Sequence, residues 1–275
     1  METKQTSPLT IPAAIVIAAA IIAIAIIYVK GPAPVIVNAN PEAQSTTINL
    51  LPISSSDHIL GDPNAPIIIV EYSDSSCPYC KMFHPTMEDI ITKYGPTGEV
   101  AWAYRHFPLD KPDQNGNVLH KNAGHEAQAF ECVASLGGNE KFWAFLKKFY
   151  ETTPSVTGQT PEGLDQAKLP IMATGVGIDT KAFNECLSSG KFKDTVDKEA
   201  LSGVNAGVSG TPASFLVLKK TVGKAVTDYI DATIIQYKIS PKMLFVSTDK
   251  KIIYMSGAMP KEFITGLISA IQSEK

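Results

Sequence analysis

The hydrophobic pattern predicts alternating strands and helices from about residue 59 onwards. The continuous apolar run IIIVEYS (67–73) is typical of a strand that is buried on both faces. After it, apolar residues recur at helical spacing up to Tyr94, and Gly95 can end that helix. The remaining predicted strands lie at 99–107, at 213–218 and on both sides of Thr248–Lys250, and the remaining predicted helices lie at 121–136, 139–152, 161–175, 179–189, 191–206 and 260–272. This order predicts an α/β (α+β) domain with one central sheet.

A long apolar run precedes this domain. Residues 11–29, IPAAIVIAAAIIAIAIIYV, contain no charge and as a helix would span about 28 Å, close to the roughly 30 Å hydrocarbon core of a bilayer. The apolar part of a cleaved signal peptide is shorter, roughly 7–15 residues, so we expect an uncleaved transmembrane anchor. Residues 1–10 would form a short cytoplasmic N-terminus. Residues 30–58, rich in Pro, Asn, Ser and Thr, are predicted to be a flexible tether to a domain at 59–275.

Composition narrows the function classes. The 275 residues carry a formal net charge of −3 and show no basic stripe, which gives no reason to expect nucleic acid as a partner. Four cysteines are few for a disulfide scaffold of this length, but their even number permits two pairs. The candidate chemistry is therefore sought at individual cysteines.

Two of these cysteines lie in SDSSCPYCKMFHP (73–85), between the first predicted strand and the first helix. Cys77 would sit at the helix N-terminus, where unpaired N–H groups and the helix dipole favour a thiolate. Pro78 suits the first helical position because that residue needs no N–H donor. Cys80 lies on the same helix face and can close a disulfide with Cys77. We therefore expect an accessible, attacking Cys77 and a buried, resolving Cys80.

A zinc site is an alternative for two cysteines at this spacing. Structural zinc takes four ligands, often as two closely spaced pairs, but Cys132 and Cys186 are 54 residues apart and neither has such a neighbour. His120 and His125 formally satisfy the spacing of a histidine pair, which leaves zinc open. The strand–CPYC–helix context favours a redox dithiol that needs no metal and no other cofactor.

Two further positions fit redox chemistry. Glu71, in the apolar strand six residues before Cys77, is expected to be buried, to have a raised pKa and to accept a proton from Cys80. A solvated glutamate at a strand edge is the alternative. Thr211 and Pro212 precede the strand at 213–218. The proline is either a simple turn residue or a cis proline that exposes the Thr211 backbone to an extended substrate beside Cys77.

The segments LGDPNAPIIIVEYSDSSCPYCKMFHPTMEDI, AWAYRHFPL, KFWAF and GVSGTPASF together resemble the DsbA-like branch of the thioredoxin superfamily. Members of this branch are extracytoplasmic thiol–disulfide oxidoreductases, often tethered to bacterial membranes. The resemblance implies a thioredoxin fold with a helical domain inserted at about 112–200. The implied site residues are the attacking Cys77, the resolving Cys80, the supporting Pro78 and Tyr79 between them, the buried acid Glu71, and the substrate-binding pair Thr211 and Pro212.

The resemblance also implies a second disulfide within the inserted helices, and AFECVA and FNECLS match its halves as Cys132 and Cys186. Two buried free thiols are the alternative. A stable disulfide requires an oxidising compartment, which favours an extracytoplasmic domain on a single-pass cell-membrane anchor with a cytoplasmic N-terminus. The flanking charges Lys4 and Lys30 only lean towards that orientation. The segment at about 219–249 departs from the family pattern and is predicted to add a helix at the sheet edge.

These expectations point to an enzyme that donates the Cys77–Cys80 disulfide to exported, cysteine-containing proteins through a mixed disulfide at Cys77. The resemblance implies re-oxidation by a quinone-linked membrane partner. Residue types do not separate an oxidase from a reductase or isomerase, because about 30 mV corresponds to only about 1.4 kcal/mol. A tethered binding or assembly factor with a structural dithiol is the alternative from another class.

Overall fold

The structure is a computed structural model of the chain, and it describes residues 47–154 and 164–274. The predicted cytoplasmic N-terminus, the membrane anchor at 11–29 and the first part of the tether lie outside these ranges. Within the two described ranges, none of the helices combines the length and the apolar character that crossing a bilayer requires.

A mixed sheet forms the centre of the described residues. Its strands are β1 (His58–Leu60), β2 (Ile67–Ser73), β3 (Val100–His106), β4 (Ala213–Leu218), β5 (Leu244–Val246) and β6 (Ile252–Ser256), in the spatial order β1-β3-β2-β4-β6-β5. β2 and β3 run parallel, and every other neighbouring pair is antiparallel. All residues of β2 and β3 are buried, as the continuous apolar run of β2 predicts.

Helices connect and cover these strands. They are α1 (Pro78–Tyr94), α2 (Ala123–Thr152), α3 (Lys168–Gly175), α4 (Thr180–Ser189), α5 (Lys193–Asn205), α6 (Lys224–Tyr237) and α7 (Lys261–Ser273). The two helices predicted at 121–136 and 139–152 form one kinked element, α2, which is interrupted at Gly138 with φ 80° and ψ −178°. Glycine suits this position because a positive φ is unfavourable for residues that carry a Cβ.

Side chains of β2 alternate between the two faces of the sheet. Ile67 and Ile69 join the larger apolar core, which includes residues of α1, α2 and α7, whereas Val70 and Tyr72 join a smaller core on the opposite face. Glu71 lies two positions after Ile69 and four after Ile67, so its side chain is on the same face of the strand. The pleat of β2 therefore directs Glu71 to the face that carries α1 and the cysteines at its start.

The helices α2 to α5 lie between β3 and β4, in the region where a helical insertion is expected. Their interior is aromatic: the ring of Phe130 lies 5.0 Å from that of Phe145 and 5.1 Å from that of Phe149, centroid to centroid. α2 contacts β1, and α5 contacts β3. The insertion thus packs directly onto β1 and β3, at one end of the sheet.

The segment at about 219–249 contains α6 and β5. Val226, Ile230 and Thr233 are the buried residues of α6, at the helical spacing that the sequence shows. The helix packs against α7 and β5, and Tyr229 stacks on Phe263 of α7 with ring centroids 5.7 Å apart. The added helix therefore lies at the β5 edge of the sheet.

Residues 47–58 do not behave as a free tether. Ile48 and Ile53 pack against the smaller core of the sheet, and the Arg105 guanidinium binds the Asp57 carboxylate with Nε 2.6 Å from Oδ1. The expectation of a flexible tether therefore does not hold for residues 47–58. Apolar side chains and a buried arginine fasten this stretch to the domain, and neither contact is visible in the local sequence.

Candidate active site

Cys77 occupies the N-cap of α1, with Pro78 at the first helical position. Its amide donates to the Asp74 carbonyl oxygen at 3.0 Å, which closes the turn between β2 and α1. Its backbone is extended (φ −76°, ψ 123°), so the chain enters the helix directly after the sulfur-bearing residue. This arrangement places Cys77 beside the unpaired N–H groups of the first helical turn, as the sequence predicts.

The surroundings of Cys77 favour its thiolate. The hydrogen bond from the Cys80 side chain lowers the pKa of Cys77 from 9.0 to about 6, although burial acts in the opposite direction. The Thr211 side chain and the backbone N–H groups of Cys80 and Tyr79 lower this pKa further. A thiol with a pKa near 6 is mostly ionised at neutral pH, and the thiolate is both a good nucleophile and a good leaving group.

Cys80 has the opposite character. It is fully buried, and its Sγ accepts a hydrogen bond from the Asp74 amide at 3.5 Å. Burial, followed by the interactions with Cys77 and Glu71, raises the pKa of Cys80 well above its ordinary value. The two free cysteines therefore divide into an acidic Cys77 and a Cys80 that holds its proton.

The Cys77 side chain is less accessible than expected. It is only 4% exposed, and its thiol donates to the Thr211 carbonyl oxygen at 3.4 Å. The expectation of an accessible Cys77 is therefore wrong for this structure, because the loop that precedes β4 covers the sulfur. Tyr79, by contrast, is 61% exposed. Tyr79 thus supports Cys77 through its backbone, and its ring faces solvent.

The covering loop contains a cis peptide bond between Thr211 and Pro212. The Pro212 carbonyl oxygen accepts a hydrogen bond from the Gly257 amide at 2.8 Å, which fixes the loop to the residue after β6. Of the two alternatives left open by the sequence, the structure has the cis proline. The residue before this proline is Thr211, whose carbonyl oxygen contacts Cys77 Sγ.

Glu71 lies behind the dithiol on β2 and is 2% exposed. Burial raises the pKa of its carboxyl from 4.5 to about 7, and the charge of Cys77 acts in the same direction. Ser73 and Trp102 lie close enough to lower it in part, but Oε2 has no partner with hydrogen-bond geometry among the described residues. Because β2 is a central strand, the alternative of a solvated edge glutamate does not apply. Glu71 is thus a buried carboxyl whose charge acts on the pKa of Cys80.

Two carboxylates near the dithiol are not among the residues that the sequence singles out. Asp74 accepts from His120 Nδ1 at 2.8 Å and from the Leu109 amide at 2.7 Å. Glu126, in the first turn of α2, accepts from the hydroxyls of Ser75 and Ser76 at 2.6 and 2.7 Å. These contacts connect the loop between β2 and α1, directly before Cys77, to the helical insertion. The polar run SDSS directly before Cys77 is the only local signal for them.

The structure joins Cys132 of α2 to Cys186 of α4 by a disulfide, with the Cα atoms 5.9 Å apart. This is the pair that the family resemblance implies, and it lies wholly within the insertion. His120 and His125, whose spacing left zinc open, contact different residues. His120 binds Asp74, whereas His125 Nδ1 lies 2.9 Å from Gln166 Oε1.

Known proteins with similar sequences include antiporters and protein-disulfide oxidoreductases. The family model described as Thioredoxin matches residues 54–236. The Na⁺/H⁺ antiporter NhaA 1 of Mycobacterium sp. (strain KMS) is 26% identical over 169 residues, which are 61% of this chain and 24% of the antiporter. A candidate protein-disulfide oxidoreductase of Rickettsia felis is 24% identical over 179 residues, which are 64% of this chain and 58% of that protein. The chain thus spans about a quarter of the antiporter's length.

Solved structures match the described fold. Alpha-DsbA1 from Wolbachia pipientis is 23% identical, with a TM-score of 0.58 over 83% of this chain and 97% of that chain. Oxidised BdbD from Bacillus subtilis is 22% identical, with a TM-score of 0.53 over 70% of this chain and 97% of that chain. At these identities the likeness is one of fold. The matching family model covers well over half of the sequence. The chain therefore belongs to the thioredoxin family, and its fold is that of the DsbA-like proteins.

Proposed function

We propose that this chain is a protein dithiol–disulfide oxidoreductase that donates its Cys77–Cys80 disulfide to exported proteins. The contrast between the two thiols carries the proposal: the pKa of Cys77 is lowered to about 6, whereas that of Cys80 is raised. A stabilised Cys77 thiolate favours the reduced form of the pair. The disulfide is correspondingly a strong oxidant, which favours the oxidase over a reductase or an isomerase.

The reaction follows from this contrast in two exchanges. A client thiolate attacks Cys77 Sγ, the Cys77–Cys80 bond breaks, and Cys80 leaves and takes a proton. A second client thiolate then attacks the client sulfur of the mixed disulfide, and Cys77 leaves as a thiolate. The client loses two electrons and two thiol protons, and the Cys77–Cys80 pair gains both electrons. One proton stays on Cys80 and the other passes to solvent.

Glu71 and Thr211 support these exchanges. With a pKa of about 7, the Glu71 carboxyl can give the leaving Cys80 a proton and take it back when the disulfide re-forms. The Thr211 carbonyl oxygen lies 3.4 Å from Cys77 Sγ, so an extended client that pairs with this backbone would place its own cysteine at the sulfur. The client would displace the loop contact that now covers Cys77.

The proposal also places the domain outside the cytoplasm, on an anchor at residues 11–29 of a single-pass protein. The uncharged apolar run supports the anchor, and the Cys132–Cys186 disulfide supports an oxidising compartment. In that compartment a quinone-linked membrane partner would re-oxidise the dithiol. Protease added to intact spheroplasts should then digest the folded domain and leave residues 1–10 untouched; protection of the domain would contradict the orientation.

The test of the activity is refolding of a reduced, denatured substrate that needs disulfides. The oxidised protein should restore substrate activity, and Cys77→Ala should abolish this. Cys80→Ala that first carries glutathione in a disulfide with Cys77 should exchange it with a client thiolate, release glutathione and accumulate the Cys77–client mixed disulfide. The double variant Cys132→Ala/Cys186→Ala is the matched control, because it removes two sulfurs but leaves the dithiol intact. Full activity of Cys77→Ala, or no oxidation by the wild type, would refute the assignment.

A further inference from the structure

Asp74, in the loop between β2 and α1, contacts several groups around the two cysteines. Its amide donates to Cys80 Sγ at 3.5 Å, and its carbonyl oxygen accepts from the Cys77 amide at 3.0 Å. Its carboxylate accepts from the Ser76 amide at 2.8 Å through Oδ1. The other oxygen, Oδ2, accepts from His120 Nδ1 at 2.8 Å. One buried residue thus contacts both cysteines through its backbone and a histidine of the segment before α2 through its side chain.

His120 is held in place by its own backbone as well. Its amide donates to the Leu109 carbonyl oxygen at 3.0 Å, and its carbonyl oxygen accepts from the Ala123 amide at 3.0 Å. The ring nitrogen that faces the Asp74 carboxylate must carry a proton to make this contact. The side chain is 14% exposed, so Nε2 can exchange its proton with solvent while the ring stays fixed.

Resting on the proposed function, we infer that His120, held by Asp74, tunes the dithiol: its positive charge stabilises the Cys77 thiolate and makes the oxidising power of the disulfide depend on pH. In the first client exchange the Cys77–Cys80 bond breaks, and after the second exchange Cys77 carries the negative charge. An imidazolium nearby stabilises that reduced product and leaves the uncharged disulfide unaffected. The histidine acts on the Cys77 sulfur electrostatically, without a direct contact.

The groups that face His120 come from three elements. Asp74 lies in the β2–α1 loop, Cys77 at the start of α1 and Glu126 in the first turn of α2. Burial alone would lower the pKa of His120, but the hydrogen bond and charge of Asp74, followed by the charges of Cys77 and Glu126, raise it above its ordinary value. Between the pKa of Cys77 and that of His120, both charges are present and attract each other.

Thermodynamic reciprocity gives a test that needs no variant. If protonated His120 stabilises the Cys77 thiolate, the thiolate must increase the affinity of His120 for its proton by the same factor. NMR titration of the His120 ring should therefore give a pKa about 0.5 to 1 unit higher in the reduced protein than in the oxidised protein. The exposed ring of His125, whose Nδ1 contacts Gln166, is the internal reference signal. An equal pKa of His120 in the two redox states would overturn the inference.

A matched pair of variants tests the consequence for redox equilibrium. His120→Gln keeps a donor for Asp74 but removes the charge, and His125→Gln removes a surface histidine five residues further on. At about pH 6.5 the equilibrium constant for oxidation of glutathione by the His120→Gln disulfide should be about threefold to tenfold lower than for the wild type. The difference should vanish at a pH well above the pKa of His120, where the wild-type ring is neutral too.

The outcomes separate this inference from the proposed function. A His120→Gln defect that is the same at every pH would indicate a purely structural role and would overturn the inference, even if the wild type oxidises clients. Conversely, a redox-dependent pKa of His120 in a protein that fails to oxidise any client would support the coupling and refute the proposed function. The NMR measurement remains decisive if His120→Gln does not fold.

Discussion

Cys77 Sγ lies 3.4 Å from the carbonyl oxygen of Thr211, and the buried hydroxyl of the same threonine has no hydrogen-bond partner within residues 47–154 and 164–274. The carbonyl oxygen accepts a hydrogen bond from the thiol, but it cannot stabilise the thiolate, which has no proton to donate. The hydroxyl is the group that can turn to the ionised sulfur, and the Thr211 side chain is one of the causes that lower the pKa of Cys77. Thr211 therefore carries both an acceptor for the Cys77 thiol and a donor that can serve the thiolate.

The first prediction concerns this hydroxyl. Thr211→Val keeps the shape of the side chain but removes the donor, so the pKa of Cys77 should rise above about 6, by about 0.5 to 1 unit. The measurement is the pH dependence of thiol alkylation in the reduced protein. Thr211→Ser is the matched control and should titrate close to the wild type. If the valine and serine variants titrate alike, the hydroxyl has no role at Cys77.

The second prediction uses the raised pKa of Glu71. A buried carboxyl with a pKa of 4.5 in the unfolded chain and about 7 in the folded protein stabilises the fold fully below about pH 4.5, and this contribution is lost as the pH rises to about 7. Glu71→Gln removes this dependence. Relative to the wild type, the variant should therefore gain up to about 3 kcal/mol in free energy of unfolding between about pH 4 and pH 8.

Denaturant unfolding of the reduced protein at both pH values measures this change. Glu140→Gln, on the exposed surface of α2, is the control and should show no comparable gain. A Glu71→Gln variant whose advantage over the wild type is the same at low and high pH would mean that Glu71 ionises normally in the folded protein. In the refolding assay, the same variant should also exchange more slowly, since Cys80 loses its proton partner.

The third prediction concerns the disulfide of the insertion. Replacing Cys132 and Cys186 together by alanine opens a loop of 54 residues, and chain entropy gives a loss of about 4 kcal/mol at most in free energy of unfolding. The pKa of Cys77 should stay at about 6, because neither Cys132 nor Cys186 is among the groups that shift it. Denaturant unfolding and alkylation of Cys77 check the two statements separately. A shifted Cys77 titration would show that the disulfide also shapes the dithiol site.

The parts of this site that the sequence predicts are those encoded locally. The apolar run of β2 predicts a fully buried strand, and its pleat places Glu71 on the face of α1. CPYC after that strand predicts a cysteine at a helix N-cap. Each of these depends on residues within a few positions of one another, where periodicity and capping rules apply.

The parts that sequence reasoning missed depend on contacts between distant residues. Cys77 is covered because the loop at Thr211 crosses it from 134 residues further along the chain. Asp74 and Glu126 act through partners 46 and 51 residues away, at His120 and Ser75. β1 has only three residues, too few for a recognisable period. Tertiary contacts of this kind leave no mark on local composition.

The last prediction concerns the Asp57–Arg105 ion pair, which fastens residues 47–58 to the sheet. The Arg105 and Asp57 side chains are almost fully buried, with Nε 2.6 Å from Oδ1 and Nη2 3.2 Å from Oδ2. Arg105 Nη1 also donates to the Tyr72 hydroxyl at 3.0 Å and to the Leu51 carbonyl oxygen at 2.9 Å. Loss of the carboxylate would leave a buried guanidinium without its counter-charge.

Asp57→Ala should therefore lower the free energy of unfolding by about 3 to 5 kcal/mol. Asp89→Ala is the matched control, because Asp89 pairs with Lys261 at 2.8 Å on the exposed surface, where an ion pair contributes about 0 to 1 kcal/mol. Limited proteolysis should in addition cut residues 47–57 faster in Asp57→Ala under native conditions. If both alanine variants unfold at the same denaturant concentration and this stretch stays protected, the apolar contacts of Ile48 and Ile53 hold it without the ion pair.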